Sequence, residues 1–402
     1  MLRTYKYLLR PTPEQEGRLD FLLWQARRIY NAALEQRITT YKDTGQSISY
    51  QAQWSHFRDL RKNQPDTLGQ LNASALQHNL RRLDKSFSAF FRRIQSGEKP
   101  GFPRFKNRQR FHSIEFTYGD GCKLRVQDHG RHSFYIQNVG VLRLCFHRAL
   151  PDQAVIKHVV IQRVNERWYV CLMLEMPDAV PAPVPTSPPV RPLGVDVGLH
   201  SLAGLSTGET IENPRWLRKS LVQLRILQRK TARQMKGSQR RHHTLSQITR
   251  LHDHIAHQRL DMLHQLARRL VREHDLIAVE DMRLAFLNRN KHLALSSYDA
   301  GLGELRQLLA YKAEEAGRRM IAVNPFNTSQ RCSECGVIVP KELSVRVHCC
   351  PACGLTIDRD VNAARNILQL ALGTLATQTA RTGRARLNVT QRGVRALRSC
   401  PL

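Results

Sequence analysis

Acidic residues are scarce in this chain: 33 Asp and Glu stand against 63 Lys and Arg, a formal charge of +30 over 402 residues. A surface so biased cannot neutralise itself with ion pairs, and its self-repulsion opposes compaction unless a polyanion binds. Long apolar runs are missing too. None approaches the roughly 18 residues of a membrane helix, and Met1 to Gln15 carries Arg3, Lys6, Arg10 and two prolines in place of the apolar stretch of a secretory signal. Nor is there an amphipathic anchor or lipidation motif to hold the chain on a membrane surface. The expected partner is nucleic acid and the expected location the cytoplasm, without membrane association. Disulfides are not indicated. Of nine cysteines, four form two C-x-x-C pairs, while Cys122, Cys145, Cys171, Cys349 and Cys400 stand apart from that pattern. That distribution reads as metal binding in a reducing compartment.

What is present divides the chain into segments. At this length two to four domains with proper cores are expected. Thr4 to Leu9 is β-prone, and beyond Pro11 and Pro13 the apolar spacing turns helical, most clearly through Leu76, Leu80, Leu83, Phe87, Phe90 and Ile94, ending at Ser96-Gly97. From Gly101 to Glu175 the period shifts toward two, with strands expected over 141–146, 156–164 and 168–173, the last two joined around Asn165-Glu166. Six prolines in residues 181–192 remove backbone donors and fix φ, so the main domain boundary is placed there. Beyond it come the strand-like runs 193–198, 202–205, 276–279 and 320–323, helical patterns at 216–234, 245–272 and 303–318, and a last helix after Asp360. Residues 371–402 lack apolar periodicity and are expected to form a flexible basic tail.

The strongest local signal is Cys332-x-x-Cys335 with Cys350-x-x-Cys353, each pair followed by glycine (Gly336, Gly354). Two such knuckles close a tetrahedral Zn²⁺ site, and four thiolates leave no open position, so one structural zinc ion is expected. Cys349 competes with its neighbour as a ligand, but Cys350 restores the C-x-x-C spacing. A second signal is three acids at the ends of apolar runs: Asp196 in Leu193-Gly-Val-Asp-Val-Gly198, Glu280 after Leu-Ile-Ala-Val, and Asp360 in Asp358-Arg-Asp-Val-Asn362. Each alone reads equally well as an ion-pair partner or helix cap. Together, at the ends of buried elements, they can converge on two hard cations, the arrangement of two-metal phosphodiester hydrolysis, for which Mg²⁺ is the expected ion once the family resemblance below is added.

Between Arg215 and Leu260 twelve Lys and Arg face a single acid, Asp253. With no acids to form a salt-bridge lattice, Arg218, Lys219, Arg229, Lys230, Arg240 and Arg241 read as a surface that tracks phosphates. Arg104 and Lys106, interleaved with aromatics in Lys99-Pro-Gly-Phe-Pro-Arg-Phe-Lys106, suit backbone contact with stacking, or equally a packed turn. No helix-turn-helix or finger-type reader is apparent.

These motifs, in this order, resemble the TnpB family, the OrfB-type proteins of bacterial insertion sequences, over nearly the whole chain. Gly194-Val-Asp-Val-Gly198, Val279-Glu-Asp281 and Asp358 to Ile367 resemble the three RuvC motifs, with the cysteine ribbon inserted ahead of the third; Gly101 to Lys106 and Arg259-x-Asp261-x-x-His264 also resemble family signatures. The resemblance implies a multidomain α+β protein. Its parts would be a wedge β-barrel from residues 1–10 and 98–180 with a helical recognition insert over 11–97, an RNase H-like RuvC domain over 193–330, a zinc ribbon over 331–354, and the third motif over 355–370. It further implies an RNA-guided DNA endonuclease that uses a guide RNA from the transposon end, cuts double-stranded DNA beside a short motif, and works as a monomeric ribonucleoprotein. Tyr50, Gln51 and Ser55 are the implied candidates for reading that motif. Asp360 is assigned to catalysis, with Asp358 as the alternative. The rival readings are a guided DNA-binding repressor that does not cut, and a nuclease that works without a guide.

Overall fold

Thr12 fixes where the first helix begins. Its hydroxyl accepts from the Gln15 amide, the Gln15 side chain accepts from the Thr12 amide, and Pro13 occupies the first turn, where its missing N–H is no loss. The computed structural model describes residues 2–126, 132–176, 191–282, 285–342 and 344–396, and it divides into two compact units, 1–179 and 180–402.

In the first unit, strand β1 (Leu2–Arg10) precedes helices α1 (Pro13–Thr44), α2 (Tyr50–Asn63) and α3 (Ala73–Gln95). Six strands follow: β2 (Ser113–Thr117), β3 (Cys122–Val126), β4 (His132–Ile136), β5 (Gly140–Cys145), β6 (Val155–Val164) and β7 (Arg167–Glu175). All seven form one antiparallel sheet in the order β2-β6-β7-β1-β5-β4-β3. The first strand in sequence thus lies at the centre, and the helices are inserted between it and the rest. Asn165 turns β6 into β7 with φ of 58°, a left-handed conformation that asparagine tolerates. Apolar residues at helical spacing on α1 (Leu19, Leu22, Ala26, Ile29) and α3 (Leu76, Leu80, Leu83) share a core with Leu9, Phe116, Val159 and Leu172 of the sheet.

The second unit contains strands β8 (Pro192–Val197), β9 (Ser201–Leu205) and β10 (Thr210–Glu212), helices α4 (Trp216–Arg233) and α5 (Gln239–Glu273), and strand β11 (Leu276–Glu280). Helices α6 (Ala285–Arg289), α7 (Ala294–Ala300) and α8 (Leu302–Glu315) lead to strands β12 (Arg319–Val323), β13 (Val347–Cys349) and β14 (Thr356–Asp358), then to helix α9 (Arg359–Ala396). Five strands form a sheet ordered β10-β9-β8-β11-β12. The first three are mutually antiparallel, and β11 and β12 run parallel to β8. Leu193, Val195, Ile277 and Val279 project to one face, against Leu263, Ala267 and Leu270 of α5 and Leu305 and Leu309 of α8. The alternate residues face α9, where Ala278 meets Ile367 and Ala371.

Three sequence expectations are corrected. Residues 371–396, taken as a tail, continue α9: Ala, Leu, Gln and Arg are good helix formers, and no proline interrupts them before Pro401. Helix α5 begins at Gln239 rather than near Leu245, because Ser238 caps it by accepting from the Arg241 amide. Pro192, assigned to the linker, opens β8, the one place in a central strand where its missing N–H is tolerated. The remainder of the proline-rich linker, residues 181–190, lies outside the described residues. Among the described residues no helix is long and apolar enough to cross a membrane.

Candidate active site and metal centre

Two glycines let α9 lie directly on the sheet. A β-carbon at Gly194 would stand 2.0 Å from the Ala364 carbonyl oxygen, and one at Gly204 would stand 2.7 to 2.9 Å from the Asp360 backbone and Cβ. Neither position has room for a side chain. Asp196 lies two residues beyond Gly194 on the same face of β8 and pairs with Gly204 on β9. Asp360 lies one turn ahead of Ala364. Two residues of strand rise about 6.6 Å and four of helix about 6 Å, so seating Ala364 over Gly194 carries Asp360 to Asp196. The parallel register of β11, with Val279 beside Val195, then brings Glu280 level with Asp196 on the adjacent strand.

Electrostatics record the convergence. Burial pushes the Asp196 carboxyl well above the ordinary carboxylate range, and the charges of Glu280 and Asp360 push it further. Glu280 is raised by burial, against a hydroxyl hydrogen bond from Thr328. Asp360 is raised by burial and then by Asp358, with Arg346, Arg359 and His200 opposing. Like charges held together at partial burial are costly unless a cation is shared among them.

The third motif divides its labour residue by residue. One Asp358 carboxylate oxygen accepts from the Asp360 and Val361 amides, 2.8 and 3.2 Å away, and so caps α9. The Arg359 guanidinium donates to the Glu342 and Val345 carbonyls. Asn362 and Asn366, one turn apart, donate to the Arg331 carbonyl, and Asn366 also reaches the Thr328 carbonyl. Helix α9 thereby holds both the segment entering the cysteine cluster and the threonine that orients Glu280. Gly204, Thr328, Asn362 and Asn366 were not identified from sequence. Asn362 and Asn366 fell within the third motif without a role assigned to them, Gly204 carried the weaker signal of a lone glycine inside a strand-like run, and Thr328 carried none.

Cys332, Cys335, Cys350 and Cys353 place their sulfurs within 4.8 Å of one another. Cys332 and Cys353 are 3.6 Å apart, and Cys335 and Cys350 are 3.5 Å apart. Sulfurs at 2.3 Å from a tetrahedral Zn²⁺ stand about 3.8 Å apart, whereas a disulfide requires about 2.05 Å. The set therefore fits zinc and not a cross-link. The two knuckles repeat one hydrogen-bond pattern: Cys332 N–H to Val337 O and Gly336 N–H to Cys332 O, then Cys350 N–H to Leu355 O and Gly354 N–H to Cys350 O. Gly336 and Gly354 have φ of 79° and 76°, which explains the glycine after each pair. Amide hydrogen bonds from Cys353 and Ala352 help bring the Cys350 thiol down to about 6, while Cys335 and Cys353, hydrogen-bonded to neighbouring sulfurs, are pushed up, so without a shared cation the cluster keeps protons that metal binding would release. Cys349 is exposed on β13 and lies outside this set.

The basic residues fare unevenly. Arg229, Lys230 and Arg240 are exposed on α4 and α5. Arg218 donates to the Ser296 hydroxyl, and Lys219 sits over the Trp216 ring. Arg241 is occupied, donating to the Thr231 and Gln234 carbonyls at the end of α4. In the Gly101–Lys106 segment, Lys106 is bound to α1 through both its backbone groups and the Asn31 side chain, and Phe102 packs edge-on against Phe87 and Phe90. The packed-turn reading thus holds for that half, while Arg104 and Phe105 are exposed. Gln51 is exposed, Ser55 half-buried, and the Tyr50 hydroxyl is buried without a hydrogen-bond partner.

By fold the chain is similar to the protein in a cryo-electron-microscopy structure of a Cas12f1–sgRNA–target DNA complex, with a TM-score of 0.57, 14% identity, and 91% of this chain and 98% of that chain covered. Fold and site together define a multidomain α/β protein whose fold resembles that of a compact Cas12f1 effector. A family model for the OrfB–IS605 type, described as a probable transposase, matches residues 173–291. A Cas12f1-like TNB domain model matches 303–367, and an OrfB–IS605 helix-turn-helix domain model matches 1–46. In this chain those first residues are β1 and the single unbroken helix α1. A relative from Streptomyces pristinaespiralis is 33% identical over 99% of this chain and 98% of its own length, and one from Escherichia coli K12, InsQ, is 29% identical over 93% and 94%. Both bear the name "Putative RNA-guided DNA endonuclease". The chain belongs to this OrfB-type family of insertion-sequence proteins, the TnpB family.

Proposed function

We propose that the chain is an RNA-guided DNA endonuclease of a bacterial transposon, cutting DNA beside a short adjacent motif with an RNase H-like, RuvC-type site. The observation that carries this reading is the convergence of Asp196, Glu280 and Asp360 at the ends of β8, β11 and the start of α9, on a sheet of three antiparallel and two parallel strands. That strand arrangement supports the RNase H-like assignment. The names of the relatives support the reaction. The first unit is read as the wedge, its sheet curling toward a barrel because the end strands β2 and β3 are consecutive in sequence, with α1 to α3 as the recognition insert.

The three acids fit hard divalent cations, since burial raises all three and the charges of Glu280 and Asp360 raise Asp196 further, with Arg359 offsetting this only in part. Bound Mg²⁺ would supply an activated water and charge stabilisation at the leaving oxygen. The chain itself contributes position: Thr328 orients Glu280, Asp358 caps the helix that presents Asp360, and Gly204 admits Asp360 to the sheet. The four cysteines hold one structural zinc. Exposed Arg229, Lys230, Arg240 and Arg104 track phosphates, with Arg218, Lys219 and Lys106 beside them; Gln51 and Ser55 are the better motif-reading candidates and Tyr50 the weaker, its hydroxyl being buried. Because charge alone gives no sequence choice, specificity is assigned to base pairing with a guide RNA, in a monomeric ribonucleoprotein.

The test replaces the guide segment of the co-purifying RNA and supplies plasmids matching the old or the new guide, each with randomised flanks. Cutting should follow the guide, enrich one short flank, and vanish in Asp196→Ala, Glu280→Gln and Asp360→Ala while binding persists. Binding without cutting by the unaltered protein would identify a guided repressor. Cutting that ignores the guide would identify a plain nuclease.

A further inference from the structure

His78 on α3, Glu115 on β2 and His158 on β6 bring their ligand atoms within 4.8 Å of one another in the first unit, far along the chain from the cysteine and carboxylate sites. The sheet prepares two of them. Glu115 and Thr117 share the face of β2 opposite Ile114 and Phe116, and Thr117 pairs with His158 across the strands. A β-bulge between Ile156 and His158 interrupts the β6–β7 register just before the histidine, an irregularity that re-aims side chains. Helix α3 supplies the third through a polar contact with this face, since Arg82, one turn beyond His78, donates to the Ser113 carbonyl and hydroxyl.

Hydrogen bonding alone does not satisfy the cluster. Glu115 Oε1 lies 3.3 Å from His78 Nδ1 but 3.9 Å from His158 Nδ1, and that second nitrogen is buried with no hydrogen-bond partner. A buried nitrogen without a partner is costly. His78 Nε2 is 3.0 Å from Thr117 Oγ1, the outer hydrogen bond that typically orients a metal-binding imidazole. Nitrogen and oxygen ligands about 2.1 Å from a tetrahedral ion stand about 3.4 Å apart. The His78–Glu115 edge, at 3.3 Å, already has that length, the His158–Glu115 edge is longer at 3.9 Å, and all three ligand atoms lie within 4.8 Å of one another.

We propose that His78, Glu115 and His158 form a second metal site, for a borderline divalent cation of the zinc type, which pins α3 to β2 and β6. Two imidazoles and one carboxylate select such an ion over Mg²⁺ or Ca²⁺. Arg81, Lys85 and Arg82 act electrostatically on the cluster, so the ion is held by ligand bonds rather than by a negative field, which again disfavours hard cations. The His158 side chain is 39% exposed although its Nδ1 is buried, so the cluster lies at the edge of the unit and not deep in its core.

The test adds Co²⁺ to the purified full chain with its cysteine site loaded with zinc and its carboxylate site removed by Asp196→Ala, Glu280→Gln and Asp360→Ala, so that neither site described above takes up the added ion. One further equivalent should bind, giving weak visible d–d absorption without thiolate-to-metal charge transfer, and Zn²⁺ should displace it. Thr117→Val should weaken binding roughly 10- to 100-fold, and His158→Gln by more than that. Circular dichroism checks that the variants fold; if His158→Gln does not, Glu115→Gln takes its place, and the spectrum of the carboxylate-free protein with the cluster intact is decisive by itself. Absence of uptake, uptake unchanged in these variants, or appearance of thiolate charge transfer would each overturn the proposal and leave a hydrogen-bonded His–Glu cluster.

Discussion

A β-carbon on Gly204 would collide with the backbone and Cβ of Asp360, 2.7 to 2.9 Å away. The hydrogen atom at this position is therefore what sets the height of one acid above the sheet that carries another. Gly204→Ala keeps every carboxylate and should still fold, yet it must push the start of α9 outward. Because misplacement by about 1 Å can cost on the order of 100-fold in rate, cleavage should fall by about that factor with DNA and RNA binding retained. Single-turnover cleavage beside a binding assay checks this. An alanine variant as fast as the parent would show that Asp360 does not act from this position.

Removal of the divalent cation exposes the electrostatic strain of the same site. In the metal-free protein folding holds the Asp196 proton to a higher pH than in the unfolded chain, where Asp titrates near 3.9. Between that value and the raised folded one the folded state binds more protons, so stability falls as pH rises, and above the folded value the loss is complete. Glu280 and Asp360 are shifted in the same direction. Asp196→Asn should accordingly raise the melting temperature at neutral pH and flatten its decline as pH rises above the unfolded carboxylate value of about 3.9. Mg²⁺ should stabilise the parent more as pH rises and the Asn variant little. Melting curves on zinc-loaded protein, with and without Mg²⁺, read both effects, and a parent whose stability rises with pH over this range would contradict the assignment.

The cysteine cluster separates two neighbours that the sequence left in competition. Cys350 Sγ lies 3.5 Å from Cys335 Sγ, whereas Cys349 is exposed on β13. Cys350→Ser should lose the ribbon zinc and unfold 331–354 locally, since the metal supplies folding energy there, and Cys332→Ser and Cys353→Ser should do the same. Cys349→Ser should keep the full zinc content. Metal analysis on folded, undenatured protein distinguishes the two, and zinc loss in Cys349→Ser alone would exchange the ligands.

What could be read from the sequence was local or periodic. The cysteine knuckles were legible because the spacing of their ligands along the chain is also their spacing in space. Asp196 and Glu280 stood out as charges ending apolar runs. Asp360 and Asp358 could not be separated by pattern, because the difference lies in whether the carboxylate turns back onto its own amides, as that of Asp358 does. Nor could sequence find Thr328 beside Glu280, 48 residues distant, or the pairing of Gly204 with Asp360, because both are products of strand register. His78, Glu115 and His158 lie on three elements and share no spacing rule. The helix beyond residue 371 was missed for a different reason: intrinsic propensity extends α9 without the apolar stripe on which the periodicity argument depends.

The basic helices offer a prediction that separates charge from architecture. Arg229 and Lys230 are exposed near the end of α4, whereas Arg241 donates to the Thr231 and Gln234 carbonyls at 2.5 and 3.2 Å and so closes the turn into α5. A lysine or arginine that neutralises a phosphate adds about 0.9 to the slope of log affinity against log salt on duplex DNA, and about 0.7 on a single strand. Arg229→Ala with Lys230→Ala should therefore weaken binding equally for all sequences and reduce the slope by roughly 1.4 to 1.8 if both contact phosphate. The melting temperature should stay nearly unchanged, as the two side chains are exposed. Arg241→Ala should do the reverse: it removes the guanidinium donor from both carbonyls, of which that of Thr231 keeps only the Gln234 amide, costing on the order of 1 to 3 kcal/mol, while the salt slope changes little. Binding isotherms at four or more salt concentrations, beside thermal melts, decide the matter. A slope that responds to Arg241 and ignores Arg229 and Lys230 would move the phosphate track from the exposed face of α4 to the turn between the two helices.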